Sequence, residues 1–118
     1  EDGSLVGWRA WRLDADGLMS PTRHTRWTGP VLRASGCAPG TVRDAAGIHA
    51  TWIPEQLVAE GYEEYPVRGE VRGYGTYVAG PEGWRAEECV IVRLLLPADH
   101  ADDAGALRAR YGVPVEVR

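Results

Sequence analysis

The clearest pattern in the chain is a pair of long strand-like segments near its centre. Residues 67–79 alternate small or apolar with polar side chains at a period of two, and residues 84–96 form an apolar-rich return segment. Between them, residues 80–83 place Pro81 at the second position of a four-residue turn. The pattern therefore predicts a long β-hairpin as the central element of the fold.

One face of the first predicted hairpin strand is rich in glycine. The period of two places six residues on this face, namely Val67, Gly69, Val71, Gly73, Gly75 and Tyr77. The opposite face carries Arg68, Glu70, Arg72 and Tyr74. Because glycine has no side chain, we expect another backbone or a ligand to approach the glycine face closely, or the strand to bend there.

Shorter elements are predicted on both sides of the hairpin. They are strands over 5–13 and 18–19 joined by a turn over 14–17, a strand over 47–52, a helix over 55–60 ended by Gly61, a helix over 101–110 and an edge strand over 113–117. Residues 20–46 are predicted to be mainly loop, with a short element over 31–34. Asp99 or Asp102 is expected to cap the second helix, and Gly112 to end it.

These elements favour a single α+β domain over residues 1–118 that is mostly β. We expect a small antiparallel sheet or a partly open barrel around the long hairpin, with one or two short helices. Without a run of about 18 apolar residues, no membrane span is expected. Two cysteines without metal-binding spacing favour a reducing, cytoplasmic location and predict no metal or cofactor.

The charge pattern adds little evidence for phosphate binding. The chain of 118 residues has a formal net charge of −4, and all 13 basic residues are arginine. Lys, Asn and Phe are absent, and their codons are rich in A and T, which indicates a bacterial genome of high GC content. Arginine enrichment alone is therefore no indication of nucleic-acid binding, and only the positions of the arginines are informative.

Several of these arginines stand beside tryptophan in the first quarter of the chain. Guanidinium groups and indole rings together bind planar or anionic groups by stacking and by forked hydrogen bonds. The sequence therefore predicts a ligand-binding surface made of Trp8, Arg9, Trp11, Arg12, Arg26 and Trp27. The alternative is that the tryptophans belong to the core and its rim while the arginines are solvated, and the sequence leaves both interpretations open.

The remaining chemistry-bearing residues give weaker patterns. His24, His49 and His100 lack metal-binding spacing, and the acidic residues over 99–103 are explained by a helix start. Cys37 lies in a predicted loop and is the weak candidate for a catalytic nucleophile, whereas Cys89 falls in mid-strand and is expected to be core.

The chain resembles a family of small bacterial proteins of unassigned function. Its motifs, in order, are Gly-(Trp/Tyr)-Arg-x-Trp-Arg, a Trp-Pro loop, a Cys, Gly-Ile-(Tyr/His)-Ala, Gly-Glu-Val and Gly-(Trp/Tyr)-Arg-Ala-Glu. They correspond here to residues 7–12, 27–30, 37, 47–50, 69–71 and 83–87. Two closely spaced family cysteines fall on Asp44 and Ala46, so no zinc site with four ligands is expected. The family has no assigned activity, and the resemblance therefore adds a class of protein but not a function.

Three functions follow as hypotheses. The first is a non-enzymatic binding or interaction module that binds a protein or a small planar ligand through the Trp/Arg surface. The second is a nucleic-acid or modified-base reader using the same residues, which the charge of −4 disfavours. The third is a small Cys-dependent enzyme centred on Cys37.

Overall fold

A computed structural model describes residues 5–21, 25–34, 47–59, 61 and 65–118. Within these residues the chain forms eight strands and two α-helices: β1 (Leu5–Asp14), β2 (Gly17–Met19), β3 (Arg26–Trp27), β4 (Val31–Arg33), β5 (Ile48–Thr51), α1 (Glu55–Ala59), β6 (Val67–Gly80), β7 (Gly83–Leu96), α2 (Ala104–Tyr111) and β8 (Val115–Val117). The predicted class is confirmed, because the structure is mostly β with short helices. No helix among the described residues is both long enough and apolar enough to cross a membrane.

The predicted hairpin of β6 and β7 is the centre of the sheet. One edge of β7 pairs with β6, and the other edge pairs in succession with β5, β4 and β8. Ala50 therefore lies opposite Trp84, Leu32 opposite Cys89, and Val115 opposite Leu94. Because β7 contacts four strands, most of the sheet depends on its position.

The first strand closes the sheet into a ring. β1 pairs with β6 from Leu5↔Gly73 to Trp11↔Val67, and it also meets β5 at Trp8↔Thr51. The ring is therefore β1, β6, β7 and β5. One pairing differs from the antiparallel expectation: β8 runs parallel to β7, so the sheet is mixed. The reason is that the connection from β7 to β8 contains α2, so the chain reverses its direction twice and β8 runs the same way as β7.

Tryptophan rings fill the space that the glycines leave on the inner face. A Cβ atom added to Gly73 would lie 2.6 Å from the Trp84 ring, and one added to Gly69 would lie 2.9 Å from the Trp11 ring. On β1, a Cβ atom at Gly7 would lie 2.7 Å from Nε1 of Trp84. The close approach expected at the glycine face is therefore present, and tryptophan rings of the core fill the space beside the glycines.

The glycine face predicted to extend to Tyr77 stops earlier. A register irregularity lies between Tyr74 and Tyr77, and Gly75 adopts a φ of 80° inside it. Tyr77 is consequently 54% exposed. A bulge interrupts the alternation of side chains, which a period of two cannot anticipate.

Tyr111 of α2 connects this helix to the paired strands β2 and β3. The Tyr111 hydroxyl accepts a hydrogen bond from the Leu18 N–H at 2.8 Å and donates one to the Trp27 carbonyl at 2.7 Å. Gly112 ends the helix in the left-handed conformation, as predicted, with a φ of 65°. A single buried hydroxyl therefore satisfies backbone groups on two strands.

The predicted cap of α2 by Asp99 or Asp102 is wrong. A 3₁₀ turn over 98–103 precedes the helix, and Asp103 occupies the position before its first residue. The Asp103 side chain makes no capping hydrogen bond, and its carboxylate instead lies 3.1 Å from Nδ1 of His100. The prediction placed the start of the α-helix inside this tighter turn, three residues too early.

Replacement of Gly73 tests the contact between glycine and tryptophan. Gly73→Ala is expected to lower the free energy of unfolding by about 1–3 kcal/mol, because the new methyl group overlaps the Trp84 ring. Gly105→Ala is the control, since nothing lies within 4 Å of its Cβ position and alanine favours the helix by up to about 1 kcal/mol. Urea denaturation measures both, and a neutral Gly73→Ala would contradict the packing described.

Candidate functional site

The structure divides the six predicted ligand-binding residues among three environments. Trp11 and Trp27 lie in the core, and the half-buried Arg9 lies against their rings. Arg26 lies at the end of the β1–β2 hairpin. Trp8 and Arg12 lie on the outer face of the sheet. The six residues do not form one surface. Side chains at odd positions of β1 point inward while those at even positions point outward, so Trp8 and Trp11 lie on opposite faces.

Trp11 and Trp27 belong to the core. Both are 0% exposed, and their rings meet edge to face with centroids 5.5 Å apart. The Trp27 indole N–H donates a hydrogen bond to the Ser20 hydroxyl at 3.1 Å. These two rings are therefore inaccessible to a ligand in the folded chain, which corrects their prediction as surface residues. The β2–β3 pairing brings Trp27 onto Trp11, and no local pattern of the sequence indicates that contact.

Arg9 uses its guanidinium group inside the protein. Its Cζ atom lies 5.9 Å from the Trp11 ring centroid and 5.6 Å from the Trp27 ring centroid. The group also donates hydrogen bonds to the Ser20 hydroxyl, at 3.0 Å, and to the His49 carbonyl. The stacking and forked hydrogen bonds expected for a ligand thus join β1, β5 and the β2–β3 region, so Arg9 is a structural residue.

Arg26 closes the end of the β1–β2 hairpin. Its two terminal nitrogens donate to the two oxygens of Asp14 at 2.7 and 2.8 Å, and one of them also donates to the Gly17 carbonyl at 3.0 Å. The hydrogen bond from Arg26 holds the pKa of Asp14 below its ordinary 3.8. Because this forked pair is complete within the chain, Arg26 is engaged locally rather than in a site with Trp8.

Trp8 and Arg12 lie on a larger surface, which we call the outer face. It is the side of β1, β6, β7, β4 and β8 that points away from the core. Its members are Val6, Trp8, Arg12, Val31, Arg33, Arg68, Glu70, Arg72, Tyr74, Glu88, Val90, Arg93 and Glu116. The alternation of β6 predicts the face of Arg68, Glu70, Arg72 and Tyr74, but no local pattern of the sequence indicates a role for it.

The outer face is positively charged although the chain is acidic. It holds five arginines and three glutamates, whereas the whole chain has a formal net charge of −4. Each glutamate forms a salt bridge: Arg93 pairs with Glu70 at 2.9 Å and with Glu116 at 3.0 Å, and Arg33 pairs with Glu88 at 2.7 Å. The described residues of this face therefore carry a net charge of +2, and among the described residues Arg12 and Arg72 form no salt bridge.

Trp8 is held in place at the centre of this face. The Arg93 guanidinium lies 5.4 Å from the Trp8 ring centroid, and the carboxylates of Glu70 and Glu116 fix that guanidinium and raise the pKa of Arg93. Nearby, Arg12 stacks on the Tyr65 ring at 5.6 Å. A half-buried, immobilised indole presents contact area at little further cost in side-chain entropy.

A groove between the β1–β2 turn and α2 is a second candidate site. Its volume is about 510 Å³, and its polar lining includes Asp14, Asp103 and Arg110. Asp14 is already paired with Arg26, and Asp103 lies against His100. The acidic groups of this groove are thus engaged within the chain, which makes the groove a weaker candidate than the outer face.

The cysteine chemistry is settled at one of its two positions. Cys89 is fully buried in β7, as predicted, and burial raises the pKa of its thiol to about 12. It is therefore a protonated core residue at neutral pH. Cys37 and His24 lie outside the described residues. Among the described residues, no group of His, Cys, Asp and Glu side chains is arranged to hold a metal ion.

Comparison with known proteins yields no relative. No protein-family model, curated protein or solved structure matches the chain. The motif resemblance to small bacterial proteins therefore stays a prediction. The candidate site depends on the geometry of this chain alone.

The two environments of β1 predict different responses to alanine. Trp11→Ala is expected to lower the free energy of unfolding by about 3–5 kcal/mol, because it leaves a cavity in the core. Arg12→Ala on the outer face removes an exposed stacking contact and is expected to cost less than about 1 kcal/mol. Chemical denaturation of the two variants measures these losses. Equally small losses in the free energy of unfolding would contradict the buried position of Trp11.

The Asp14–Arg26 pair predicts a dependence of stability on pH. Since the pKa of Asp14 is lower in the folded than in the unfolded chain, the pair stabilises the fold at neutral pH. This stabilisation is lost as the pH falls from about 4 through the lowered pKa of the folded state. The stability difference between wild type and Arg26→Ala should therefore shrink at acidic pH. Denaturation at pH 7 and 2.5 measures it, and a constant difference would contradict the pairing.

Proposed function

We propose that the protein is a non-enzymatic interaction module that binds an acidic protein partner through its outer face. The observation that supports this proposal is the excess of arginine on that face of an acidic chain. Complementary potentials accelerate encounter and fix orientation, and over distances of about 8–10 Å they act at physiological salt. An acidic surface would be attracted to this face and repelled by the rest of the molecule.

The side chains of the outer face are of the types that favour protein binding. Aromatic residues and arginine are enriched in the centres of protein interfaces, where they contribute most of the binding energy. The face combines Trp8, Tyr74 and Arg12 with the exposed aliphatic residues Val6 and Val31. Salt bridges to Glu70 and Glu116 hold Arg93 against Trp8, so the centre of the face is organised before a partner arrives.

The same contacts favour a protein over a nucleic acid. Single strands are bound by stacking bases on open aromatic faces, but Arg93 already covers one face of Trp8 and Arg12 one face of Tyr65. Binding to a phosphate backbone also requires the neutralisation of many phosphates, which a chain of net charge −4 opposes. An acidic protein needs only a local match of charge.

Selection from a displayed library of random 12-residue peptides tests the proposal, followed by titration of the recovered peptides into ¹⁵N-labelled protein. We expect acidic peptides, with amide shifts concentrated in β1, β6 and the middle of β7. Arg12→Glu should weaken binding at least tenfold. Arg110→Glu, which makes the same charge change on α2, should alter it less than twofold.

Two results would contradict the proposed function. One is the absence of enrichment over an immobilised control protein, or amide shifts confined to other parts of the chain. The other is tighter binding of a 20-nucleotide oligothymidine than of any recovered peptide, with shifts on the outer face, which would support the nucleic-acid reader instead.

A further inference from the structure

Arg72 differs from the other arginines near the centre of the outer face. Arg93 is bound to two glutamates, Arg33 to Glu88, and Arg12 lies on the Tyr65 ring. In the part of the chain that the structure describes, Arg72 forms no salt bridge, side-chain hydrogen bond or ring contact. Its five N–H donors, arranged as a planar fork, are thus available to an incoming acceptor.

Apolar residues flank Arg72 in its register row across the strands. Val6, Arg72, Val90 and Val31 are register neighbours on β1, β6, β7 and β4 and form one row across the outer face. Val6 is 43% exposed and Val31 is 45% exposed, so both ends of the row are accessible. At a strand spacing of about 4.8 Å, the row extends over roughly 14 Å.

We infer that Arg72, between Val6 and Val31, is a subsite for a carboxylate side chain that has apolar residues on both sides in the partner. This inference rests on the proposed function and names its recognition chemistry. The guanidinium fork matches a carboxylate with two parallel hydrogen bonds. Apolar neighbours exclude water from the pair and so strengthen it.

The dimensions of the row suit an extended protein segment. Five residues in extended conformation span about 13–14 Å between the first and the fifth side chain, which is the length of the row. Their alternate side chains would be apolar, acidic and apolar, with the outer two opposite Val6 and Val31. The acidic side chain would lie about 2 Å along the row from Arg72, within reach of the long arginine side chain. A phosphate backbone would instead place negative charge against both valines, where the row offers no counter-charge.

The test compares recovered peptides with copies in which the acidic residue is replaced by its amide. Wild-type protein should bind the acidic peptide at least tenfold more tightly than the amide copy. Arg72→Ala should weaken binding of the acidic peptide at least tenfold but leave the amide copy within about twofold. Arg72→Lys should recover part of the affinity, because lysine retains the charge but not the fork. Arg110→Ala, a change at an exposed arginine on α2, is the matched control.

The outcomes separate the subsite from the function on which it rests. Peptides that shift outer-face amides but bind equally well as acid and amide copies would overturn the Arg72 subsite and leave the interaction module standing. Peptides that never shift the outer face would overturn both. If Arg72→Ala fails to fold, the comparison of acid and amide copies on the wild-type protein still decides the question.

Discussion

The fold depends on large indole rings packed directly against backbone that has no side chain. Trp84 fills the space beside Gly7 and Gly73, and Trp11 fills the space beside Gly69. These contacts allow β1 and the β6–β7 hairpin to enclose a core that contains three fully buried tryptophans but no phenylalanine. Since protein interiors are packed like organic crystals, neither partner can change size alone. The close fit on the inner face therefore fixes which side of each strand is left for the outside.

Local signals predicted most of the secondary structure, and for clear reasons. The long hairpin, the turn before Gly17 and the helix end at Gly112 each depend on residues adjacent in sequence, and each was confirmed. The bulge after Tyr74, the parallel position of β8 and the 3₁₀ turn before α2 depend on pairing or on details of helix geometry, and these were missed. The fold class was therefore within reach of the sequence, but the fine geometry was not.

The candidate site was less predictable, because it required knowing which face of β1 is buried. Trp8 and Trp11 are three residues apart and so lie on opposite faces of the strand. Each has an arginine next to it in the sequence, which suggested one surface. The Arg9 guanidinium, however, lies against the Trp11 and Trp27 rings of the core. The residues that replace them on the outer face come from β6, β7 and β4, far away in the chain. The alternation of β6 predicted the face on which Arg72 lies, but only the sheet register shows that Val6 and Val90 are its neighbours on the adjacent strands.

The closed ring of strands also has a consequence for how the chain folds. The hairpin of β6 and β7 forms from neighbouring residues, whereas β1 pairs with β6 across about half of the sequence. Closing so long a loop is entropically costly, and folding rates fall as contacts become less local. Until β1 arrives, one edge of β6 is unpaired and its glycine-lined face is uncovered. During synthesis, β1 leaves the ribosome before the hairpin does, so it is available to pair with β6 as soon as the hairpin forms.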